Sequence, residues 1–354
     1  MDIAKQIDVF EALKERINPE TEPGFSLAIV QHGEVEYMLN HGLASIEHSS
    51  PLTSDSLYYL ASVSKQFTAA SILNLVEDDL LQLGQCVSDV IGEVSHFGEK
   101  ISIQNLLNHT SGIPDYFEYL NCQINMQWQD YFDNKDILKI ISNIEDLRFS
   151  PGSRFLYSNS NYILLAEVIK RVSRSRTSIY TKKKIFNPVG MKHTVFDDDR
   201  NKVIRNRVAS YTSPEPRSKT YYAFLKNSCT VGDGGVLSSI NDLVKWEINM
   251  HNNTRLPSGV ISRLTERGKL TTGKSIDYGN GQELSATNAK KFSYHGGSFE
   301  GFETYVIRVP SLKTSLIFLS NNENLTHGLV WPHRNADLIA STGQESTRRN
   351  SLPL

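Results

Sequence analysis

Leu60-Ala61-Ser62-Val63-Ser64-Lys65-Gln66-Phe67-Thr68-Ala69 is the stretch on which the reading of this chain turns. Apolar residues continue from it at Ala69, Ile72, Leu73, Val76 and Leu80, the spacing of one helix face, and stop near Gly84. On such a helix Ser62 and Lys65 are neighbours, three residues apart. Both continue the core-facing stripe, so the spacing predicts a Lys65 ammonium partly removed from water. A serine hydroxyl is a poor nucleophile until a base takes its proton. A lysine serves as that base once burial or nearby positive charge destabilises its ammonium. Ser62 falls at the helix start, where the dipole favours developing negative charge. Alone, S-x-x-K reads more simply as a helix start with a serine cap and an exposed lysine.

Two further elements change that balance. Tyr157-Ser158-Asn159 lies between a turn at Pro151-Gly152 and an apolar helix expected to begin near Tyr162. A tyrosine hydroxyl in a cationic pocket shuttles a proton between nucleophile, leaving group and water, and an asparagine side chain orients a substrate amide. Y-x-N recurs at Tyr119-Leu120-Asn121 and Tyr278-Gly279-Asn280, so context singles out Tyr157. His295-Gly296-Gly297-Ser298 ends a strand-like run. Its two glycines permit close approach of a backbone or ligand. The Ser298 amide, with that of Ser62, would form an oxyanion hole. A packing tyrosine with a capping asparagine, and a bulge or turn at the glycines, are the plainer readings. His96-Phe97-Gly98 also fits H-x-G.

Around these elements the chain reads as an ordinary globular protein. It has 354 residues, 37 Lys+Arg against 39 Asp+Glu and a mean hydropathy of -0.34. The balance predicts no nucleic-acid or anionic-lipid footprint and no membrane span. Cys86, Cys122 and Cys229 have no C-x-x-C spacing, which predicts neither a disulfide framework nor a zinc site. Ile3, Ile7, Phe10, Leu13 and Ile17 predict an amphipathic amino-terminal helix rather than a secretory leader. The compartment expected is therefore the cytoplasm, or the periplasm if a leader was removed ahead of residue 1.

Phe25 to Val30 and Val35 to Leu39 flank a turn at Gln31-His32-Gly33 and predict a hairpin. Ile137, Ile140, Ile141 and Ile144 make one helical face, and Tyr162, Leu165, Ala166, Ile169 and Val172 another. Strands are expected again at Phe292–Tyr294, Tyr305–Val309 and Ser315–Leu319, then a helix around Asn335 to Ala340. The class expected is α/β (α+β): an antiparallel sheet flanked by helices, built from both chain ends, with an inserted, mostly helical domain. The boundaries drawn are 1–84 with 226–354 for the sheet domain and 85–225 for the helical one, with the active site at their junction.

Longer stretches carry a resemblance. They are Leu60 to Ala69, Leu106-Leu-Asn-His-Thr-Ser-Gly-Ile-Pro114, Pro151-Gly-Ser-Arg-Phe-Leu-Tyr-Ser-Asn159, Gly234-Gly-Val-Leu-Ser-Ser-Ile-Asn-Asp242 and His295-Gly-Gly-Ser-Phe-Glu-Gly301. From about residue 24 to about residue 322 the chain resembles the class C β-lactamase-like serine hydrolases, which include β-lactamases, D,D-peptidases, D-amino-acid amidases and β-lactamase-fold esterases. The resemblance implies a β-lactamase/transpeptidase-like fold and catalysis without a cofactor or metal. It implies Ser62 as acylated nucleophile, Lys65 and Tyr157 as the catalytic bases, and Asn159, His295, Gly296, Gly297 and Ser298 as substrate-binding residues. His109 is implied to be structural. His295 stands where β-lactamases and D,D-peptidases usually carry a lysine that holds the substrate carboxylate. A histidine, mostly neutral at pH 7, does so weakly.

Gly268-Lys-Leu-Thr-Thr-Gly273-Lys274-Ser275 also fits the P-loop pattern, which needs a buried strand before it and a helix after it. Polar Ser262 to Arg267 and the glycines at 279 and 281 predict a surface loop instead. No G-x-S-x-G elbow and no H-E-x-x-H is present. The expected activity is hydrolysis of an ester or amide, including a β-lactam or D-amino-acid peptide, as small-molecule or peptide acyl substrate. The alternative is a penicillin-binding or peptide-sensing protein that acylates without efficient turnover.

Overall fold

The computed structural model describes residues 10–98, 100–120, 131–215, 218–225, 227–287 and 290–325. Its centre is a six-stranded antiparallel sheet. In chain order the strands are β1 (Phe25–Gln31), β2 (Glu34–His41), β3 (Glu283–Thr287), β4 (Lys290–Phe299), β5 (Phe302–Val309) and β6 (Thr314–Ser320). In space the order is β3-β4-β5-β6-β1-β2. The early and late strands therefore meet at one seam, where Phe25 pairs with Ser320 and Gln31 with Thr314. This is the mixed architecture of helices and antiparallel sheet that the strand pattern predicts, built from both ends of the chain.

The sheet needs cover on both faces because β1 is buried at every residue but Gln31. On one face Phe25, Leu27 and Ile29 pack with Phe10, Leu13 and Ile17 of the amino-terminal segment. Ile3 and Ile7, expected on the same stripe, lie outside the described residues. On the other face Ala28, Val30, Ile317 and Leu319 join the main core.

That core is built by helices α1 (Lys65–Glu77), α2 (Ile103–Leu107), α3 (Asn134–Ser142), α4 (Asn159–Ser173), α5 (Ile240–Asn252) and α6 (Ser258–Leu264). α1 packs on α4 and α6. Every residue from Lys65 to Leu75 is buried, so α1 is a core helix and not the one-sided helix its spacing predicts. It also stops earlier than Gly84. Asp78 is the C-cap, Asp79 takes a left-handed φ of 55°, and Leu80 is 57% exposed. Two carboxylates at a helix C-terminus oppose the dipole, and Asp tolerates the left-handed turn that ends the helix.

Other boundaries shift in ways that matter for the site. α4 begins at Asn159, not near Tyr162. α3 ends at Ser142, leaving Ile144 buried just beyond it. β3 was not foreseen, and β4 runs through His295-Gly296-Gly297-Ser298 instead of ending before it. Pairing from Ser293↔Arg308 to Phe299↔Phe302 is unbroken, so the glycines form no bulge. β3 reaches only as far as Tyr294 along β4. Beyond that point the outer edge of β4 adjoins the turn carrying Ser62. The P-loop-like segment is a turn closed by Leu270 N to Lys274 O, exposed from Thr271 to Ser275, with no helix after it. Among the described residues no helix is long and apolar enough to cross a membrane. The helix expected around Asn335 to Ala340 lies outside them.

Candidate active site

The chain enters α1 under restraint. Tyr58 and Tyr59 pair with Ser238 and Leu237, and Leu60 N donates to Val236 O at 2.8 Å. A 3₁₀ turn, Ala61–Ser64, follows and holds Ser62. Ala61 at its start has φ of 47°, a left-handed conformation an alanine keeps only when its surroundings impose it. The restraint comes from β4 and β5. Thr304 Oγ1 donates to Leu60 O at 2.8 Å, and a Cβ on Gly297 would sit 2.4 Å from that same oxygen. The glycine predicted to allow close approach does so toward the nucleophile turn itself.

Lys65 is fully buried, and its Nζ reaches Ser62 Oγ at 3.0 Å, Asn159 Oδ1 at 2.8 Å and Asp233 O at 2.6 Å. Burial pushes its pKa down from 10.5 to about 8, partly opposed by the charges of Asp233 and Asp115. The amide oxygen of Asn159 and the carbonyl of Asp233 only accept hydrogen bonds. A neutral amine therefore spends both N–H groups on them and turns its lone pair to Ser62.

Tyr157 OH donates to Ser62 Oγ at 3.0 Å, and Nζ lies 4.9 Å from the Tyr157 ring centroid. Burial holds this phenol well above its ordinary pKa, with the Ser62 bond acting the other way. Tyr157 is thus a proton-bearing group at neutral pH. Its ring is set by His109, whose own ring lies 4.3 Å away. His109 is buried and kept neutral by burial, and its Nδ1 accepts from Ser158 N at 3.2 Å.

Asn159 is the first residue of α4 but not its cap, since Ser158 holds that position. Its Oδ1 faces Lys65, while its Nδ2 and backbone N donate to Asp115 Oδ2 at 2.8 and 2.9 Å. The side chain expected to orient a substrate amide is engaged in orienting Lys65. His295 is buried and does not line the cleft. Its Nδ1 lies 2.7 Å from Gly296 O, so Nδ1 carries the proton, and its Nε2 faces Tyr278 OH at 3.3 Å. Burial, then the Lys65 charge, lowers its pKa to about 3. Gly296 lies against the Tyr305 ring, and exposed Ser298 lines the cleft with Ser62.

The cleft is narrow, about 80 Å³, and its walls include Tyr59, Tyr116, Phe117, Asn159, Asp233 and Phe299. Sequence reasoning missed Asp115, Tyr116 and Asp233, and set Tyr278 aside. Asp233 lies in Val231-Gly232-Asp233-Gly234-Gly235, whose glycines mark close backbone approach. Gly234 is indeed tight against Tyr59 OH. Tyr116 and Tyr278 left no comparable signal. Among the described residues no group of His, Cys, Asp or Glu is arranged to hold a metal ion.

Comparison with known proteins supplies the remaining finding. The sequence model of the family described as Beta-lactamase matches residues 12–338. Penicillin-binding protein 4* of Bacillus subtilis (strain 168) is 29% identical over 89% of this chain and 72% of its own length. A D-aminopeptidase of Brucella anthropi is 26% identical over 92% of the chain, which spans 61% of that protein. One from Gluconobacter oxydans (strain 621H) is 25% identical, and the chain spans 56% of it. Among solved structures, the octameric penicillin-binding protein homologue from Pyrococcus abyssi superposes with a TM-score of 0.76 at 26% identity, over 92% of this chain and 74% of that one. The D-amino acid amidase from Ochrobactrum anthropi SV3 shares the fold, with a TM-score of 0.71 at 20% identity over 89% of this chain and 91% of that one.

Proposed function

The chain belongs to the Beta-lactamase family, and from that premise we propose that it is a serine hydrolase cleaving an amide or ester through an acyl-enzyme on Ser62. The observation that carries this reading is the buried Lys65 amine, 3.0 Å from Ser62 Oγ and pinned by two groups that only accept. Neutral Lys65 takes the Ser62 proton as Oγ adds to the substrate carbonyl. The backbone amides of Ser62 and Ser298 receive the oxyanion, a contribution worth about 10²–10³ in rate per donor in such sites. The tetrahedral adduct collapses as Tyr157 OH, relayed from protonated Lys65, gives a proton to the leaving amine or alkoxide. Water then attacks the acyl-enzyme, losing its proton to the same pair, and Ser62 is regenerated. Lys65 is the principal base, because it alone of the pair is brought toward neutral pH.

The D-aminopeptidase and D-amino acid amidase names among the relatives favour an amide or short peptide with a D-residue as substrate. The neutral His295 argues against an anchored substrate carboxylate. Alongside this we propose the division into 1–84 with 226–354 and 85–225. Ser62, Lys65 and Ser298 then come from one part, and Tyr157 and Asn159 from the other. The test is turnover of p-nitrophenyl esters, nitrocefin and D-amino-acid amides by the wild type and by Ser62→Ala, with intact-mass detection of the adduct. Steady turnover lost in a folded Ser62→Ala supports the hydrolase. One acyl group per chain without turnover supports the sensor instead. Unchanged hydrolysis by the variant removes both.

A further inference from the structure

Arg308 stands on β5 and is 3% exposed, and Glu247 on α5 is fully buried. Arg308 Nε and Nη2 donate to the two Glu247 oxygens at 2.5 and 2.6 Å, and Ser315 Oγ on β6 adds a third bond to that carboxylate at 2.7 Å. The guanidinium reaches further. Its Nη1 donates to Gln282 Oε1 at 2.5 Å, just ahead of β3, and its Nη2 also donates to Gln66 Oε1 at 2.6 Å. For stability alone, apolar residues of similar volume often serve as well as a buried ion pair or better. What a planar guanidinium adds is direction, because its fork fixes several partners at set angles.

Those partners enclose the start of α1. Gln66 follows Lys65 in the chain and is 1% exposed. Its Oε1 accepts from Trp246 Nε1 at 2.7 Å as well as from Arg308. Two donors on one oxygen leave the amide a single orientation, with Nε2 toward Val63 O, which it reaches at 3.0 Å. Val63 belongs to the 3₁₀ turn that holds Ser62. Next to Gln282, Gly281 lies so close to α1 that a Cβ on it would sit 2.8 Å from Lys65 O. The turn contains Ala61 in its left-handed conformation, and strained backbone persists only where its surroundings over-determine it. Thr304 and Gly297 restrain the turn at Leu60, and the Gln66 amide restrains it at Val63. None of Gln66, Glu247, Gln282 and Arg308 lines the cleft.

We infer that Gln66 and Arg308 are positioning residues for the Ser62–Lys65 pair: the guanidinium orients the Gln66 amide, and the amide holds the turn that keeps Ser62 Oγ 3.0 Å from Lys65 Nζ. The inference rests on the reading of Ser62 as the nucleophile.

The experiment compares the wild type with Gln66→Met and Arg308→Lys. Gln66→Met keeps the length of the side chain and leaves the Arg308–Glu247 pair in place. Arg308→Lys keeps the charge opposite Glu247 but has no planar fork for Gln66 and Gln282 together. Three quantities are measured: the thermal midpoint, kcat and KM for D-alanine p-nitroanilide, and the rate at which diisopropyl fluorophosphate modifies Ser62, followed by intact mass. Acylation by an anilide is slow, so KM reports binding. Per folded molecule, kcat and the modification rate are expected to fall about 10- to 100-fold with KM unchanged, the effect of a small misplacement of reacting groups. A packing role alone would lower the thermal midpoint while folded molecules react at the wild-type rate, and that result overturns the inference. If Arg308→Lys does not fold, Gln66→Met decides the question alone. Equal modification of Ser62 in the wild type and Gln66→Met refutes the positioning role and leaves the hydrolase reading standing. A wild type whose Ser62 takes no adduct removes the hydrolase reading and this inference with it.

Discussion

Raising the pH should switch on acylation with a single ascending limb centred near the Lys65 pKa of about 8. The base acts only when neutral, so the rate follows the deprotonated fraction of Lys65. With that pKa about 9% of the enzyme is competent at pH 7 and about 91% at pH 9, a rise of about tenfold. An exposed lysine at its ordinary value would be about 300-fold less deprotonated at pH 7, equivalent to about 3 kcal/mol of differential stabilisation. Burial of Lys65 supplies that difference. His295, lowered to about 3, adds no second limb in the neutral range. The assay is kcat/KM for a short-chain p-nitrophenyl ester lacking any titratable amine, from pH 6 to pH 10, corrected for spontaneous hydrolysis. Lys65→Arg, whose guanidinium stays charged, should lose the limb and at least 10³ of the rate. A flat wild-type profile, or a midpoint above pH 10, would show that Lys65 is not the base.

Tyr157→Phe keeps the ring against His109 but loses the hydroxyl 3.0 Å from Ser62, so kcat should fall about 10²-fold with the thermal midpoint nearly unchanged; an unimpaired kcat would remove Tyr157 from the proton path. Gly297→Ala places a methyl 2.4 Å from Leu60 O, forcing β4 away from the nucleophile turn. A loss of about 1–3 kcal/mol by denaturant unfolding, with a larger loss of activity, is expected, and a variant as stable and active as wild type would contradict the packing. Acid should destabilise the fold through His295: unfolding frees it to bind a proton at its ordinary 6.5, while the folded state holds it at about 3. Stability present above pH 6.5 is then lost as pH falls toward 3, by about 2 kcal/mol at pH 5. Thermal melts of the wild type and His295→Asn between pH 7 and pH 4 check this, and equal slopes would refute it.

Much of the site was legible because its chemistry lies in short, ordered stretches. Ser62 and Lys65 announce themselves by spacing, and the structure brings Tyr157, from a distant segment, within 3.0 Å of Ser62. The residues that were missed act through position alone. Nothing local distinguishes Asp115 from other aspartates, yet it turns the Asn159 amide toward Lys65. Tyr278, set aside among several Y-x-N matches, lies against His109 and His295.

Hydrophobic period and turn residues by themselves determined the hairpin at Phe25, the last two strands around Tyr305–Val309 and Ser315–Leu319, and the pairing of a serine with a lysine three residues on. These are properties of neighbours along the chain, set by backbone geometry and side-chain spacing. Tertiary structure decided that Lys65 is buried on every side rather than along one stripe, that His295 is a neutral buried residue, and that one carboxylate oxygen of Asp233 is closed off from solvent. Charge state and hydrogen-bond commitment depend on the water removed and on partners gathered, for Lys65, from as far as 168 residues away, and no stretch of sequence carries that information locally.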